Sequence, residues 1–340
     1  MTKAFILCAG KGTRLQPYTD HRAKPAIEFL TVPMLGYSTY PMEKLGITDF
    51  ILNTHHLPGS VEQAVAQLLP EKKYNIIHEE QLLGSAGALG NARHLLEDAQ
   101  HFFVLNGDSV NLYAQLEILN QLVSMHQAED AYASMLAIPH KEAGKSLSAV
   151  WVDKNSHVCG FGKSAPQPKS QPFHFTGILY FSRRALDDMP NTFSNTLLDV
   201  ITPAFRRGEK VLCKVTQDLL FGETGNIDDY IKFQNECFFH LRDNDVWGRY
   251  LLELVQYYQP GFKLLDRKQA ALENYTLSED ALLAMNTTST LKMAPTAKIT
   301  GHVALGPNCC LEANSSLENV SVMSGAQAVL RQSLANSIIF

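Results

Sequence analysis

The chain has 340 residues, 45% of them apolar and 19% charged, proportions that suit one large globular domain plus a smaller one. A net charge of −5 argues against nucleic acid or an anionic membrane as the main partner, so an anionic substrate must be held by local cations. The six cysteines are scattered without zinc-like spacing, no apolar run reaches membrane length, and the first residues already read as a core strand; the expectation is a cytoplasmic protein without a cleavable leader.

That first strand is Ala4-Phe5-Ile6-Leu7. It runs straight into Cys8-Ala9-Gly10-Lys11-Gly12-Thr13-Arg14-Leu15, and Lys24-Pro25 stands nine residues further on. Glycines let the backbone N–H groups of such a loop approach a ligand, and two fixed cations, Lys11 and Arg14, stand beside them. This pattern is a polyphosphate cradle. It is not the dinucleotide fingerprint, because Leu15 occupies the third glycine position. Nor is there a Walker A loop: the only Gly-Lys-Ser is Gly144-Lys145-Ser146, with Pro139 where the first glycine belongs.

Further along, Pro33 and Met34-Leu35 open a helix that should stop at Gly46. Strands follow at 50–53, 75–77 and 102–105, with helices over 61–69 and 86–96 between them. The alternation predicts an α/β fold with a Rossmann-like mixed, mainly parallel sheet, and ligands beyond the carboxyl ends of its strands. The glycine loop and Asn106-Gly107-Asp108 both fall at that edge, whereas His55-His56 reads as a solvated loop pair. Asp228 and Asp229 look like charges in a helix's first turn, and Phe238-Phe239 like helix packing. Residues 247–258 read as an apolar-rich helix, followed by Pro260-Gly261 and further helical patches without chemistry. In the tail, Met293, Ile299, Leu305, Leu311, Leu317, Met323 and Val329 recur every six residues, with small residues Val303, Cys309, Ser315 and Ser321 four places after several of them.

The run G-x-G-T-R-L followed by Lys-Pro resembles the signature of the sugar-1-phosphate nucleotidylyltransferases, over an ordered set of motifs from about residue 3 to 235. The hexads resemble those of the left-handed β-helix, in which three hexapeptides make one coil. Together they imply a nucleotidyltransferase catalytic domain over 1–237, a helical connector over 238–290 and a short left-handed β-helix over 291–340. A stub of so few coils implies a homo-oligomer or packing on the catalytic domain.

The reaction implied is attack by a sugar-phosphate oxygen on the α-phosphorus of a nucleoside triphosphate, expelling pyrophosphate. The nucleophile is already anionic, so the site must hold two anions in line and neutralise spreading charge, which calls for cations and Mg²⁺. By resemblance, Lys11 and Arg14 hold the β- and γ-phosphates over the backbone of Ala9, Gly10, Gly12 and Thr13. Lys24 reaches the α-phosphate and the sugar phosphate. Asp108 matches the family's metal carboxylate, and Mg²⁺ takes one or two carboxylates plus phosphate oxygens. The second carboxylate departs from the pattern: Phe221-Gly222-Glu223-Thr224-Gly225-Asn226 stands where the family has Trp-x-Asp-[Ile/Val]-Gly-Thr, so Glu223 replaces an Asp.

Leu83-Gly84-Ser85-Ala86-Gly87-Ala88-Leu89 resembles the family's L-G-T-A-G-A segment and implies a nucleotide site at Glu79, Gly84 and Ser85. There Glu79 or Glu80 can accept from guanine. For the sugar, the resemblance implies Gly107, Thr176-Gly177 and Lys163, although the family's Phe-x-Glu-Lys-Pro is here Phe161-Gly162-Lys163-Ser164. GTP with mannose-1-phosphate is the pair expected. UTP with N-acetylmuramate-1-phosphate is the alternative, and a non-catalytic nucleotide-sugar-binding paralogue is the rival of another class.

Overall fold

The computed structural model describes residues 2–339 apart from 72, 274, 287–291, 294–296, 307–309, 312–314, 325 and 327–332; for 286, 292–293 and 310–311 it describes the backbone only. In chain order the first elements are β1 (Thr2–Leu7), β2 (Glu28–Phe29), β3 (Val32–Pro33), α1 (Met34–Lys44), β4 (Asp49–Thr54), α2 (Pro58–Leu68), β5 (Lys73–His78), α3 (Gly84–Asn91), α4 (Arg93–Leu96), β6 (His101–Asn106) and β7 (Val110–Tyr113). Then come α5 (Glu117–Ala128), β8 (Ala133–Ile138), β9 (Ala149–Val152), β10 (Val158–Gly162), β11 (Gln171–Ser182), α6 (Thr202–Arg206), β12 (Val211–Val215) and β13 (Leu219–Gly222). The last part holds α7 (Ile227–Asp243), α8 (Val246–Tyr258), β14 (Phe262–Leu265), α9 (Arg267–Leu272), β15 (Leu283–Asn286), β16 (Lys292–Met293), β17 (Lys298–Ile299), β18 (Val303–Leu305), β19 (Cys310–Leu311), β20 (Ser316–Val322) and β21 (Ser333–Ile339). These elements form two compact units, residues 1–10 with 38–221 and residues 11–37 with 222–340.

The first unit is built on a nine-stranded sheet ordered β10-β9-β11-β6-β1-β4-β5, with β8 joining β11 and β12. The pairs β1–β4, β1–β6, β4–β5 and β8–β12 are parallel, while β11 runs antiparallel to both β6 and β8. β1 sits at the centre, and Ala4, Phe5 and Ile6 are wholly buried there. That explains its continuous apolar run, since a strand covered on both faces has no polar side. Burying a side chain such as Phe5 contributes about 1.5–3 kcal/mol. Gly46, at φ +79°, ends α1 by donating its N–H to the Glu43 carbonyl at 2.9 Å, the left-handed stop that glycine takes without strain.

In the second unit, α7 starts on Asn226, whose side chain accepts from the Asp229 N–H at 3.0 Å, and Asp228 and Asp229 lie in its first turn as expected. α8 is capped by Asp245, which accepts from the Gly248 N–H at 2.9 Å. Phe238 is fully buried, whereas Phe239 is exposed and carries the Arg242 guanidinium over its ring. Residues 262–265 and 283–286 are strands, not further helix: β14 pairs β15, and β15 pairs β18 in the C-terminal sheet. That sheet is otherwise parallel. Ile299 pairs with Leu317 in it, and Met293 pairs with Leu311 in a separate two-stranded sheet, each three hexads apart, whereas Leu317 pairs with Leu334 one residue short of that. Ile299, Leu305, Leu317 and Met323 are buried with the small residues Val303, Ser315 and Ser321, an arrangement compatible with a short β-helix. Cys309 and Val329 of the series lie outside the described residues.

Candidate active site

In the first unit, β1 ends where the glycine loop begins, and a buried relay ties that point to residues 79–83. The Cys8 N–H donates to Asn53 Oδ1 at 2.9 Å, and Asn53 Nδ2 donates to Glu79 Oε1 at 2.7 Å. Glu79 Oε2 then accepts from the Leu83 N–H at 2.9 Å. Glu79 is 2% exposed, so its carboxylate holds the chain together from within, while neighbouring Glu80 is exposed. His55 adds a contact from its Nδ1 to the Glu79 carbonyl oxygen at 2.9 Å. The sequence missed Asn53; the only signal was a polar residue closing an apolar strand.

Beyond Leu83 the segment is laid on the backbone of 192–196. Gly84 takes φ +71°, and an added Cβ there would collide with the Ser194 carbonyl oxygen. The Ala86 N–H donates to that same oxygen at 3.0 Å, and Ser85 Oγ accepts from the Thr196 N–H at 2.9 Å. The predicted nucleotide residues Glu79, Gly84 and Ser85 are thus brought onto one rigid turn at the head of α3. Ala9 is buried, and Gly10 has open space around it.

The β6–β7 turn carries Gly107 and Asp108. Gly107 donates its N–H to the Leu7 carbonyl at 2.9 Å, and a Cβ there would stand 2.7 Å from Cys8 Sγ. Asp108 is half-buried, and its charge adds to burial in pushing up the pKa of the Cys8 thiol, which keeps that thiol protonated. On β11 the register shifts between Phe175 and Leu179, and Gly177 takes φ +82° with the Asn106 side chain against it. Such a bulge re-aims backbone groups beside a site. Thr176 is fully buried and donates its hydroxyl to the Leu136 carbonyl at 2.8 Å, so it shapes the bulge from below. Lys163 lies exposed just after β10.

The second unit holds the cations. Gly12, at φ +62°, starts the short helical turn Thr13–Leu15, and its carbonyl accepts from Thr19 Oγ1 at 3.1 Å. A Cβ on Gly12 would lie 3.2 Å from the Lys24 Cβ, so Lys24 follows the loop closely. Lys24 is 8% exposed, against an exposed Lys11. Arg14 reaches the other loop: a Cβ on Gly225 would stand 3.0 Å from its Cζ, which puts the guanidinium against the backbone two residues past Glu223. Glu223 itself is exposed. Lys11, Arg14 and Lys24 are therefore gathered on one unit with Glu223, while Asp108 and the nucleotide segment belong to the other. Among the described residues no three His, Cys, Asp or Glu side chains group tightly enough to hold a metal. Hard carboxylate oxygens such as those of Asp108 and Glu223 suit Mg²⁺, which takes most of its ligands from phosphates and water.

The sheet is that of a mixed α/β protein with a mainly parallel centre, and a glycine loop bearing Lys11 and Arg14 follows its first strand. Residues 3–238 match the family model for Nucleotidyl transferase, and the chain belongs to that family. It is 31% identical over 163 residues to the mannose-1-phosphate guanylyltransferase catalytic subunit beta of Dictyostelium discoideum, covering 47% of this chain and 44% of that one. To the Danio rerio protein of the same description it is 40% identical over 163 residues, with the same coverage. The chain thus spans about half the length of the curated relatives it matches. Among solved structures, HddC from Yersinia pseudotuberculosis, crystallised with GMP-PN, is similar at TM-score 0.56 and 22% identity, covering 69% of this chain and 99% of that one. That likeness concerns the fold. Among the described residues no helix is long and apolar enough to cross a membrane.

Proposed function

We propose that the chain is an Mg²⁺-dependent, cytoplasmic sugar-1-phosphate guanylyltransferase that joins GTP to mannose-1-phosphate and releases pyrophosphate. The observation that carries this reading is the cation cluster of the second unit, where Gly12 brings Lys24 against the phosphate loop and Arg14 lies along the 223–225 backbone. The names of the relatives support the choice of guanine and mannose. Lys11 and Arg14 neutralise the departing pyrophosphate, and Lys24 steadies the α-phosphate and the attacking sugar phosphate. Asp108 and Glu223 are the carboxylates offered to Mg²⁺, which supplies charge neutralisation on the phosphate oxygens when bound. Glu79 braces the turn at the head of α3 against which guanine is read, with Glu80 beside it. The backbone of Gly107 and Gly177 faces the sugar, and Lys163 lies close by in sequence. The aliphatic ends of so short a coil favour a homo-oligomer.

The test is pyrophosphate release in Mg²⁺, with GTP, UTP, dTTP, CTP and ATP each crossed against a panel of sugar-1-phosphates. A strong preference for GTP with mannose-1-phosphate is expected. Preference for UTP with N-acetylmuramate-1-phosphate would move the reading to a uridylyltransferase. Silence across the grid with nucleotide still bound would indicate a regulatory paralogue, with the lengthened carboxylate of Glu223 the first residue to revert to Asp.

A further inference from the structure

Glu28 lies four residues past Lys24 and is 2% exposed, a charged residue inside the apolar run 25–30. It meets the C-terminal coil directly through two atoms and, by way of Tyr230 on α7, through a third. Glu28 Oε2 accepts from the Ser324 N–H at 2.9 Å, and the Glu28 N–H points at Met323 Sδ, 3.2 Å away. The Glu28 carbonyl accepts from the Tyr230 hydroxyl, which also stands 3.2 Å from Ser321 Oγ. Arg22 Nη1 is 3.8 Å from the second carboxylate oxygen.

The turn that bears Lys24 is continuous with this clasp. The Ile27 N–H donates to the Lys24 carbonyl at 3.1 Å, and Glu28 pairs with Pro33 across the β2–β3 hairpin. Phe29 packs against Tyr37, Tyr230 and Phe233, with ring centroids 5.6, 5.3 and 5.6 Å away. Phe233 in turn fills the space over Gly222, immediately before Glu223. A buried carboxylate costs free energy that a leucine in the same place would not. What it adds is direction: a charge-assisted bond to one particular N–H fixes one arrangement, where an apolar contact permits several.

We propose that Glu28 is a positioning residue for Lys24, and that coil residues 321–324 are a structural part of the phosphate-binding segment and not an appendage to it. The inference rests on the enzymatic reading above, because it assigns the purpose of the clasp to the placement of Lys24. A lysine side chain is long and flexible, so its ammonium can be held over a phosphate only if its backbone is fixed. The fold brings that fixing from nearly three hundred residues away in sequence.

The experiment uses the full chain with Glu28→Ala, Glu28→Gln and Tyr230→Phe. Amide hydrogen exchange over residues 11–27 and steady-state pyrophosphate release are measured below the melting transition of each variant. For Glu28→Ala, exchange over 11–27 should rise about tenfold and kcat fall about tenfold, while the KM for GTP moves less than about threefold. Glu28→Gln keeps an oxygen for the Ser324 N–H and should restore both to within about threefold of wild type. Tyr230→Phe, which removes a hydroxyl alone, should loosen 11–27 in the same direction without unfolding the chain. Unchanged exchange and kcat in folded Glu28→Ala and Tyr230→Phe would overturn the proposal. If the wild type turns over no substrate pair while exchange still responds, the clasp stands and the enzymatic reading falls.

Discussion

Lys24 and Asn53 do different work at the residue scale, and each has its own test. Lys24 is a buried cation, and on the proposed reading it faces the phosphates, so Lys24→Ala should lower kcat by about 10²–10³ with a modest change in GTP affinity, measured by pyrophosphate release and by calorimetric titration. Survival of turnover would mean that the phosphate assignment is wrong. Asn53→Ala leaves the Cys8 N–H and Glu79 Oε1 without their partner at once. A buried polar group left unsatisfied costs about 1–3 kcal/mol, so urea unfolding should show a loss of at least that size.

Glu28 adds a pH signature. Burial raises its pKa from 4.5 to about 7, against the downward pull of the Ser324 bonds and Arg22. The folded chain therefore holds this proton more tightly than the unfolded one, and stability is lost as pH rises through that window. Against Glu28→Gln, the wild type should lose up to about 2–3 kcal/mol between roughly pH 4.5 and 7, read from guanidinium melts. His126 runs the other way. Burial between Ser134 and Ser182 lowers its pKa from 6.5 to about 3, so the stability it contributes is lost as pH falls through that range.

At the scale of elements, α3 shows why small residues were legible in sequence while their purpose was not. Leu83-Gly84-Ser85-Ala86-Gly87 reads as a small-residue approach to a ligand. In the fold, added Cβ atoms on Gly84, Gly87 and Gly90 would strike the carbonyls of Ser194, Thr192 and Pro190. Those glycines let the helix lie on a neighbouring backbone, and that contact holds the turn at the head of α3. Gly90→Ala should cost about 1–3 kcal/mol in urea unfolding and weaken GTP binding, because the helix must lift. The sequence placed one helix over 86–96 where α3 and α4 break at Ala92, since local propensity does not resolve such a joint. It also left 262–265 and 283–286 among helical patches. Their strands exist because β15 finds β18, a long-range pairing that no local pattern announces.

At the scale of the whole molecule, the chain leaves its first unit after ten residues, contributes 11–37 to the second, and returns. The segment bearing Lys11, Arg14 and Lys24 is thus folded together with the C-terminal coil. Deleting residues 291–340 would remove the Ser324 N–H from Glu28, and with Ile299, Leu305 and Leu317 gone it would uncover Leu265, Leu277 and Leu283 of the core they share. The truncated chain is expected to show turnover reduced by at least about tenfold per folded molecule, checked by active-site titration alongside circular dichroism.

The amino-acid sequence by itself determined the central strand, the glycine loop after it, the β-α alternation and the hexad period. Each of these is a local pattern, set by side-chain periodicity or by what glycine and lysine do within a few bonds. Only the tertiary structure decided that Glu79 braces a turn from inside, that Asn53 joins two loops, and that Glu28 binds the coil. These roles depend on burial and on partners from distant parts of the chain. A carboxylate reads the same in sequence whether it faces a ligand or a backbone N–H.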